Sequence, residues 1–204
     1  HVRGGGEKGD AWYKGGLKAT KSNSWKDLIA CTEYLIDHKY TAKDKIAVGG
    51  GSAGGISVGR AITERPDLFK AAVIGVGILN AIRFENGPNG KNNTKEFGTV
   101  KDLIEFKALL EMDAYHHIKK DEKYPAVYAT GGINDARVPA WQPAKFAVRL
   151  QENTASENPV LLDVDFEGVH GINAKKDKKD QELSKTMSFL LWQTGHPDYQ
   201  PKEK

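Results

Sequence analysis

VGGGSAGG, residues 48–55, sets one hydroxyl, that of Ser52, among five glycines. The short apolar run Lys45 to Val48 comes before it, and the helically spaced segment Ile56 to Arg65 follows and stops at Pro66. Such a string reads as a buried strand, a tight turn and a helix. Three uses of the glycines compete. They could cradle a phosphate, they could allow a turn that presents a nucleophile, or they could form a plain flexible turn.

The same alternation continues along the chain. Trp25, Leu28, Ile29, Tyr34 and Leu35 predict a helix over 24–39, with Ser24 as its cap. Ala71 to Val76 is a second apolar strand, Tyr124 to Thr130 a third and Val160 to Phe166 a fourth. Helical spacing recurs over Leu103 to Met112, Trp141 to Leu150 and Leu183 to Trp192. Residues 85–98 read as a long polar loop turning at Asn89-Gly90, and the glycine-rich first 23 residues as another loop. Strands alternating with helices predict an α/β protein with a mostly parallel sheet and helices on both faces. Right-handed crossovers bring every strand's carboxyl end to one edge, where chemistry gathers in open sheets of this kind.

Composition narrows the function classes. The chain has 204 residues, 39% hydrophobic and 28% charged, with a formal net charge of +3. That suits one soluble globular domain. No basic stripe carries interleaved aromatics, which argues against nucleic acid, and no apolar stretch approaches a membrane span. Cys31, the single cysteine, cannot form an internal disulfide or a thiolate metal site, and its helical setting predicts a core thiol. Histidines and carboxylates are not paired at helical spacing, so neither a metal site nor another cofactor is expected. The mixed-sign run Lys175 to Asp180 reads as a solvated face. The chain starts at His1 with no methionine and no signal-like segment, so it encodes no compartment: cytoplasmic, periplasmic and secreted settings all remain open.

The phosphate reading has one point in its favour. Gly49-x-Gly51-x-x-Gly54 fits a dinucleotide fingerprint between a strand and a helix. That fingerprint also needs a carboxylate at the end of the next strand, and Val76 to Asn80 offers none. A P-loop needs a lysine after its last glycine, and Gly55 stands there instead. The nucleophile reading accounts for more. Gly50-Gly51-Ser52-Ala53-Gly54 is G-x-S-x-G, with small neighbours expected because side chains two residues either side would collide. The following helix aims its positive end at the site, and the Ala53 N–H can donate to an oxyanion. The architecture then asks for an acid after a later strand and a histidine after the last. Asp135 follows the third strand and His170 the fourth, in the order Ser52, Asp135, His170. Asp135 could instead cap a turn or a helix. His38, His116 and His117 read as helix-end residues and His196 as part of the tail.

With those residues placed, the chain resembles the catalytic domain of the prolyl oligopeptidase family of serine peptidases. The resemblance rests on RGGGEKGDAWYKGG (3–16), GGSAGG (50–55), ERPDLFKAAV (64–73), NDARVP (134–139) and GVHG (168–171), and covers nearly all of residues 1–194. It implies an α/β-hydrolase domain over 1–195, with a polar tail over 196–204. The implied activity is hydrolysis of short peptides through an acyl-enzyme, with cleavage after proline as one option. An esterase with the same triad, or a nucleotide-binding module using the glycine turn, are the alternatives. By the resemblance Ser52 is the nucleophile, His170 its base and Asp135 the group that fixes the tautomer of His170. Arg137 would hold a substrate carbonyl, the alternative being a salt bridge at the sheet edge. Val76, Phe97 and Val138 resemble positions lining the pocket for the residue before the cut. Members that cut after proline often carry a ring-stacking tryptophan where Asn93 stands here. The resemblance further places a tyrosine oxyanion donor, the first strands of the sheet and a β-propeller partner segment before His1. His1 to Arg3 then read as a strand end, and the nucleophile strand is expected to have one bare side. Residues 1–204 by themselves are expected to turn over little, since one oxyanion donor is worth on the order of 100- to 1000-fold.

Overall fold

The computed structural model describes residues 1–171 and 176–202. Four strands, β1 (Ala47–Gly51), β2 (Ala71–Gly75), β3 (Ala126–Gly132) and β4 (Val160–Asp165), form one sheet in the order β1-β2-β3-β4. All three pairings are parallel, with Ala47 opposite Ala71, Ala71 opposite Ala126 and Val127 opposite Val160. When neighbours in sequence are neighbours in space, right-handed crossovers must all pass over the same face.

The helices follow that rule. They are α1 (Asp10–Lys14), α2 (Ser22–Asp37), α3 (Gly54–Glu64), α4 (Ala81–Phe84), α5 (Gly90–Phe97), α6 (Leu103–Met112), α7 (Trp141–Asn153) and α8 (Lys176–Gln193). α3, α6 and α7 build the main core with one face of the sheet, around Ile56, Ile62, Ile74, Leu79, Met112, Val127, Phe146 and Leu150. α8 comes after the last strand and is free to take the other face, where Phe189, Leu190 and Trp192 cover Ala71, Val73, Ala126 and Tyr128. Residues one apart on β2 therefore serve opposite layers, which is why that strand reads as an unbroken apolar run. Fully buried residues such as Ile56, Leu79 and Phe146 each contribute roughly 1.5–3 kcal/mol over exposure.

Several local expectations are corrected. β1 begins at Ala47 and runs into the glycines, because Gly49, Gly50 and Gly51 pair with Val73, Ile74 and Gly75. Residues 90–97 form a helix where a loop was expected. Buried Phe97, and Glu96 bonded to Lys21 and Tyr13, hold α5 against its weak propensity, and Gly98 ends it at φ 102°. Ser24 lies inside α2, where its hydroxyl donates to the Arg3 carbonyl, and does not cap it. α2 buries Trp25, Ile29 and Thr32 against α3, a stripe that leaves Cys31 exposed, not in the core. The first 23 residues contain α1 and a short 3₁₀ turn, Lys18–Thr20. His1 to Arg3 do not join the sheet. β1 is an edge strand, unpaired on its outer side among the described residues. Of the mixed-charge run, Lys175 lies outside the described residues, and Lys176–Asp180 open α8 with mostly exposed side chains. No described helix is long and apolar enough to cross a membrane.

Candidate active site

β1 stops at Gly51, α3 starts at Gly54, and Ser52 turns the chain between them at φ 54°. A non-glycine residue in the left-handed region costs roughly 1–2 kcal/mol. Three hydrogen bonds hold Ser52 there. Its N–H donates to the Gly75 carbonyl at 2.9 Å, and its carbonyl accepts from Gly55 N–H and Ile78 N–H, each at 3.0 Å. The glycines make room for that fold-back. A Cβ on Gly50 would meet Val58 Cγ2 at 2.8 Å and the Gly54 carbonyl at 3.0 Å. One on Gly51 would lie 2.9 Å from the Gly75 carbonyl, and one on Gly55 2.6 Å from Gly77 Cα. The space at these glycines is thus taken by the protein's own backbone and side chains, which argues against the phosphate loop.

Gly54, the second glycine of G-x-S-x-G, differs from expectation, because a Cβ there meets nothing within 4 Å. The crowded position is one residue further on, where α3 passes the segment leaving β2. Gly55→Ala is therefore expected to destabilise by about 1–3 kcal/mol through overpacking against backbone. Gly54→Ala, at a helical position in open space, is expected to hold or raise stability. Urea denaturation of the two variants checks the contrast.

Asp135 and His170 reach Ser52 from the loops after β3 and β4. Those loops are tied together. Asn134 N–H donates to the Gly168 carbonyl at 2.9 Å, Ile133 N–H donates to Asp165 O at 3.0 Å, and Gly132 approaches too closely to Gly168 for any Cβ. The His170 Nδ1 to Asp135 Oδ2 distance is 2.7 Å, and His170 Nε2 lies 2.9 Å from Ser52 Oγ. The Asp135 side chain is fully buried and that of His170 is 12% exposed. Asp135 Oδ1 accepts from the N–H groups of Arg137 and Val138 at 2.8 and 2.9 Å. Asp135 thus closes a turn with one oxygen and faces the imidazole with the other. It does not cap α7, whose N-cap is Ala140. A carboxylate only accepts, so Nδ1 carries the proton and Nε2 offers its lone pair to the serine hydroxyl. Among the described residues no acceptor takes the N–H of Ala53, the residue that leads into α3.

The other sequence-derived positions divide. Arg137 is exposed, and among the described residues its guanidinium makes no ion pair or hydrogen bond, so no sheet-edge salt bridge forms among them. Phe97 packs edge-to-face on Phe84 and, with Val138, belongs to the main core. Val76, at φ 44°, borders a cleft shared with Thr130, Phe166 and Val169 on the other side of the sheet. The structure does not bring these three apolar residues into one pocket. Asn93 lies on α5 and donates its amide to the Asn89 carbonyl. His116 and His117 form a 3₁₀ turn after α6, where His116 Nδ1 meets Asp113 at 2.9 Å, and burial pushes the His117 pKa down. His38 ends α2, and His196 caps the turn Pro197–Tyr199.

Three polar side chains near the site escaped sequence reading. Asn80, Asp113 and Gln142 are all fully buried and hydrogen-bonded. The available signal was the stripe Gln142, Phe146, Leu150 on α7, which places an amide where the helical period demands an apolar residue.

Four parallel strands, with a serine on a left-handed turn after the first and its partners on the loops after the third and fourth, make this an α/β-hydrolase domain. Its sequence matches the prolyl oligopeptidase family over residues 1–197, and the chain belongs to that family. It is 36% identical over 196 residues to a prolyl endopeptidase of Elizabethkingia miricola, covering 96% of this chain and 28% of that protein. A solved prolyl endopeptidase, studied for inter-domain dynamics, superposes with a TM-score of 0.92 at 34% identity, covering 98% of this chain and 29% of that one. Oligopeptidase B from Leishmania major superposes at 0.89 with 33% identity, over 95% and 27%. The chain thus spans less than a third of the length of these relatives.

Proposed function

We propose that this protein is a serine-type oligopeptidase and that Ser52, His170 and Asp135 are its catalytic triad. The observation that carries the reading is the continuous line of contacts from Ser52 Oγ through His170 to buried Asp135, at 2.9 and 2.7 Å. In the first step Ser52 Oγ attacks the scissile carbonyl carbon while its proton passes to His170 Nε2. Asp135 stabilises the resulting imidazolium without taking its proton. The Ala53 N–H donates to the oxyanion, assisted by the positive end of α3. Collapse of the tetrahedral intermediate breaks the C–N bond, and His170 protonates the leaving amine. Water, deprotonated by His170, then hydrolyses the ester on Ser52.

The exposed guanidinium of Arg137, unpaired among the described residues, supports a role in holding a substrate carbonyl, since a rigid donor fork suits that acceptor. Of the three apolar positions, Val76, which borders the open cleft, is proposed for the pocket of the residue before the cut, while Phe97 and Val138 pack in the core. Residues 1–195 are read as catalytic domain and 196–204 as a polar tail. Short peptides are the proposed substrates, and the prolyl endopeptidases among the relatives support cleavage after proline. The greater length of those relatives leaves room for a β-propeller segment that would screen out larger chains. The test uses the full-length protein with a fluorophosphonate probe and a panel of peptide amides and simple esters. Labelling at Ser52 with hydrolysis of amides, fastest after proline, is the expected result. Turnover of esters alone would mark an esterase, and absence of labelling would overturn the hydrolase reading.

A further inference from the structure

Gln142 opens α7 and is fully buried. Its Oε1 accepts from two consecutive backbone amides, Leu79 N–H at 3.0 Å and Asn80 N–H at 2.6 Å, and its Nε2 donates to the Asn80 carbonyl at 3.3 Å. One side chain thus grips the strap that leaves β2. That strap touches the nucleophile turn directly. Ile78 N–H donates to the Ser52 carbonyl, and a Cβ on Gly55 would lie 2.6 Å from Gly77 Cα. Whatever fixes residues 77–80 therefore fixes the carbonyl of Ser52 and the entry to α3.

The backbone of Gln142 is tied to the segment that follows the acid. Its backbone N–H donates to the Pro139 carbonyl at 2.9 Å. Pro139 directly follows Val138, whose N–H donates to Asp135 Oδ1. The Ser52 turn and the Asp135 turn come from different strands, and Gln142 bonds to the segment behind each. Its neighbours cannot take over this work. The Asn80 side chain is already committed, donating to Asp113 Oδ2 at 2.7 Å and accepting from Lys145 Nζ at 2.9 Å. Without the Gln142 acceptor, two buried amides lose their partner.

We propose that Gln142 is a positioning residue that holds the nucleophile turn and the acid turn in register, so that Ser52 Oγ stays within hydrogen-bonding reach of His170. This rests on the triad reading given above. The hydroxyl–imidazole contact is made between separate loops, and a displacement of about 1 Å at such a contact costs on the order of 100-fold in rate. The role is exerted through backbone, so it bears on the rate of attack on any electrophile and not on substrate affinity.

The experiment compares Gln142→Met, Gln142→Asn and Gln142→Glu in the full-length protein. Methionine keeps the length and removes the strong acceptor. Asparagine keeps the amide but draws it back by one methylene, and gives the same comparison if the methionine variant does not fold. Glutamate keeps an oxygen within reach of both amides, and in its protonated form, which burial favours, its hydroxyl can donate to the Asn80 carbonyl as the amide does. Fluorophosphonate labelling of Ser52 and kcat are expected to fall by roughly 10- to 100-fold in the methionine and asparagine variants, with KM within about threefold. The glutamate variant is expected to recover to within about threefold of the parent. Labelling at the parent rate without the acceptor, equal slowing in all three variants, or a change confined to KM would each overturn the proposal. A parent protein that is not labelled at Ser52 removes the triad reading, and this inference with it.

Discussion

Replacing Ser52 with alanine is expected to lower kcat/KM for a peptide amide by on the order of 10⁴- to 10⁶-fold, with the fold intact. The hydroxyl makes one side-chain contact among the described residues, the one to His170 Nε2, so little packing is lost with it. Alanine leaves the backbone hydrogen bonds from Gly55 and Ile78 to the carbonyl of residue 52 in place. Loss of rate with an unchanged thermal midpoint is the signature. His170→Ala is expected to cost a similar factor, and the double variant little more than either single one, because the two groups act as a unit. If Ser52→Ala kept more than a tenth of the parent rate on amides, the nucleophile would have to lie elsewhere.

Asp135→Asn carries the second large effect, on the order of 10⁴-fold in kcat. The geometry dictates the orientation of the new amide. Oδ1 accepts from the backbone N–H groups of Arg137 and Val138, and an NH₂ group placed there would set donor against donor. The amide nitrogen is therefore turned toward His170 Nδ1. That nitrogen must then accept, so the imidazole proton moves to Nε2, and Ser52 Oγ faces a donor where it needs a base. The turn bonds survive, so the asparagine variant is expected to fold like the parent while Asp135→Ala loses stability as well. The ring-nitrogen shifts of His170, read by NMR in parent and variant, report the tautomer directly. An unchanged tautomer, or activity within tenfold of the parent, would contradict this reading of the buried carboxylate.

The proposed triad was legible because its members stand at strand ends. Once β3 and β4 were recognised by their apolar runs, Asp135 and His170 followed from chain order, since parallel strands with right-handed crossovers bring their carboxyl ends to one edge. α5 was not legible in this way. Lys91, Asn92, Asn93 and Thr94 favour a loop, and tertiary contacts of Glu96 and Phe97 decide otherwise. A glycine at 98 was the one local sign in the sequence that a helix ends there. Cys31 was misplaced because the apolar spacing of α2 allows more than one stripe, and only its packing on α3 selects Trp25, Ile29 and Thr32.

The amino-acid sequence by itself determined the alternation of strands and helices, the turn at Ser52 and the choice of Asp135 and His170 as the proposed acid and base. These depend on local periodicity and on chain order, which a linear string records. Only the tertiary structure decided which glycines of the turn are crowded, that Asp135 serves a turn and an imidazole at once, and that Gln142 lies behind both loops. Those properties are distances between segments far apart in the chain, such as Gly55 to Gly77 and Gln142 to Leu79. They come into existence only when the strands have paired and the crossovers have packed.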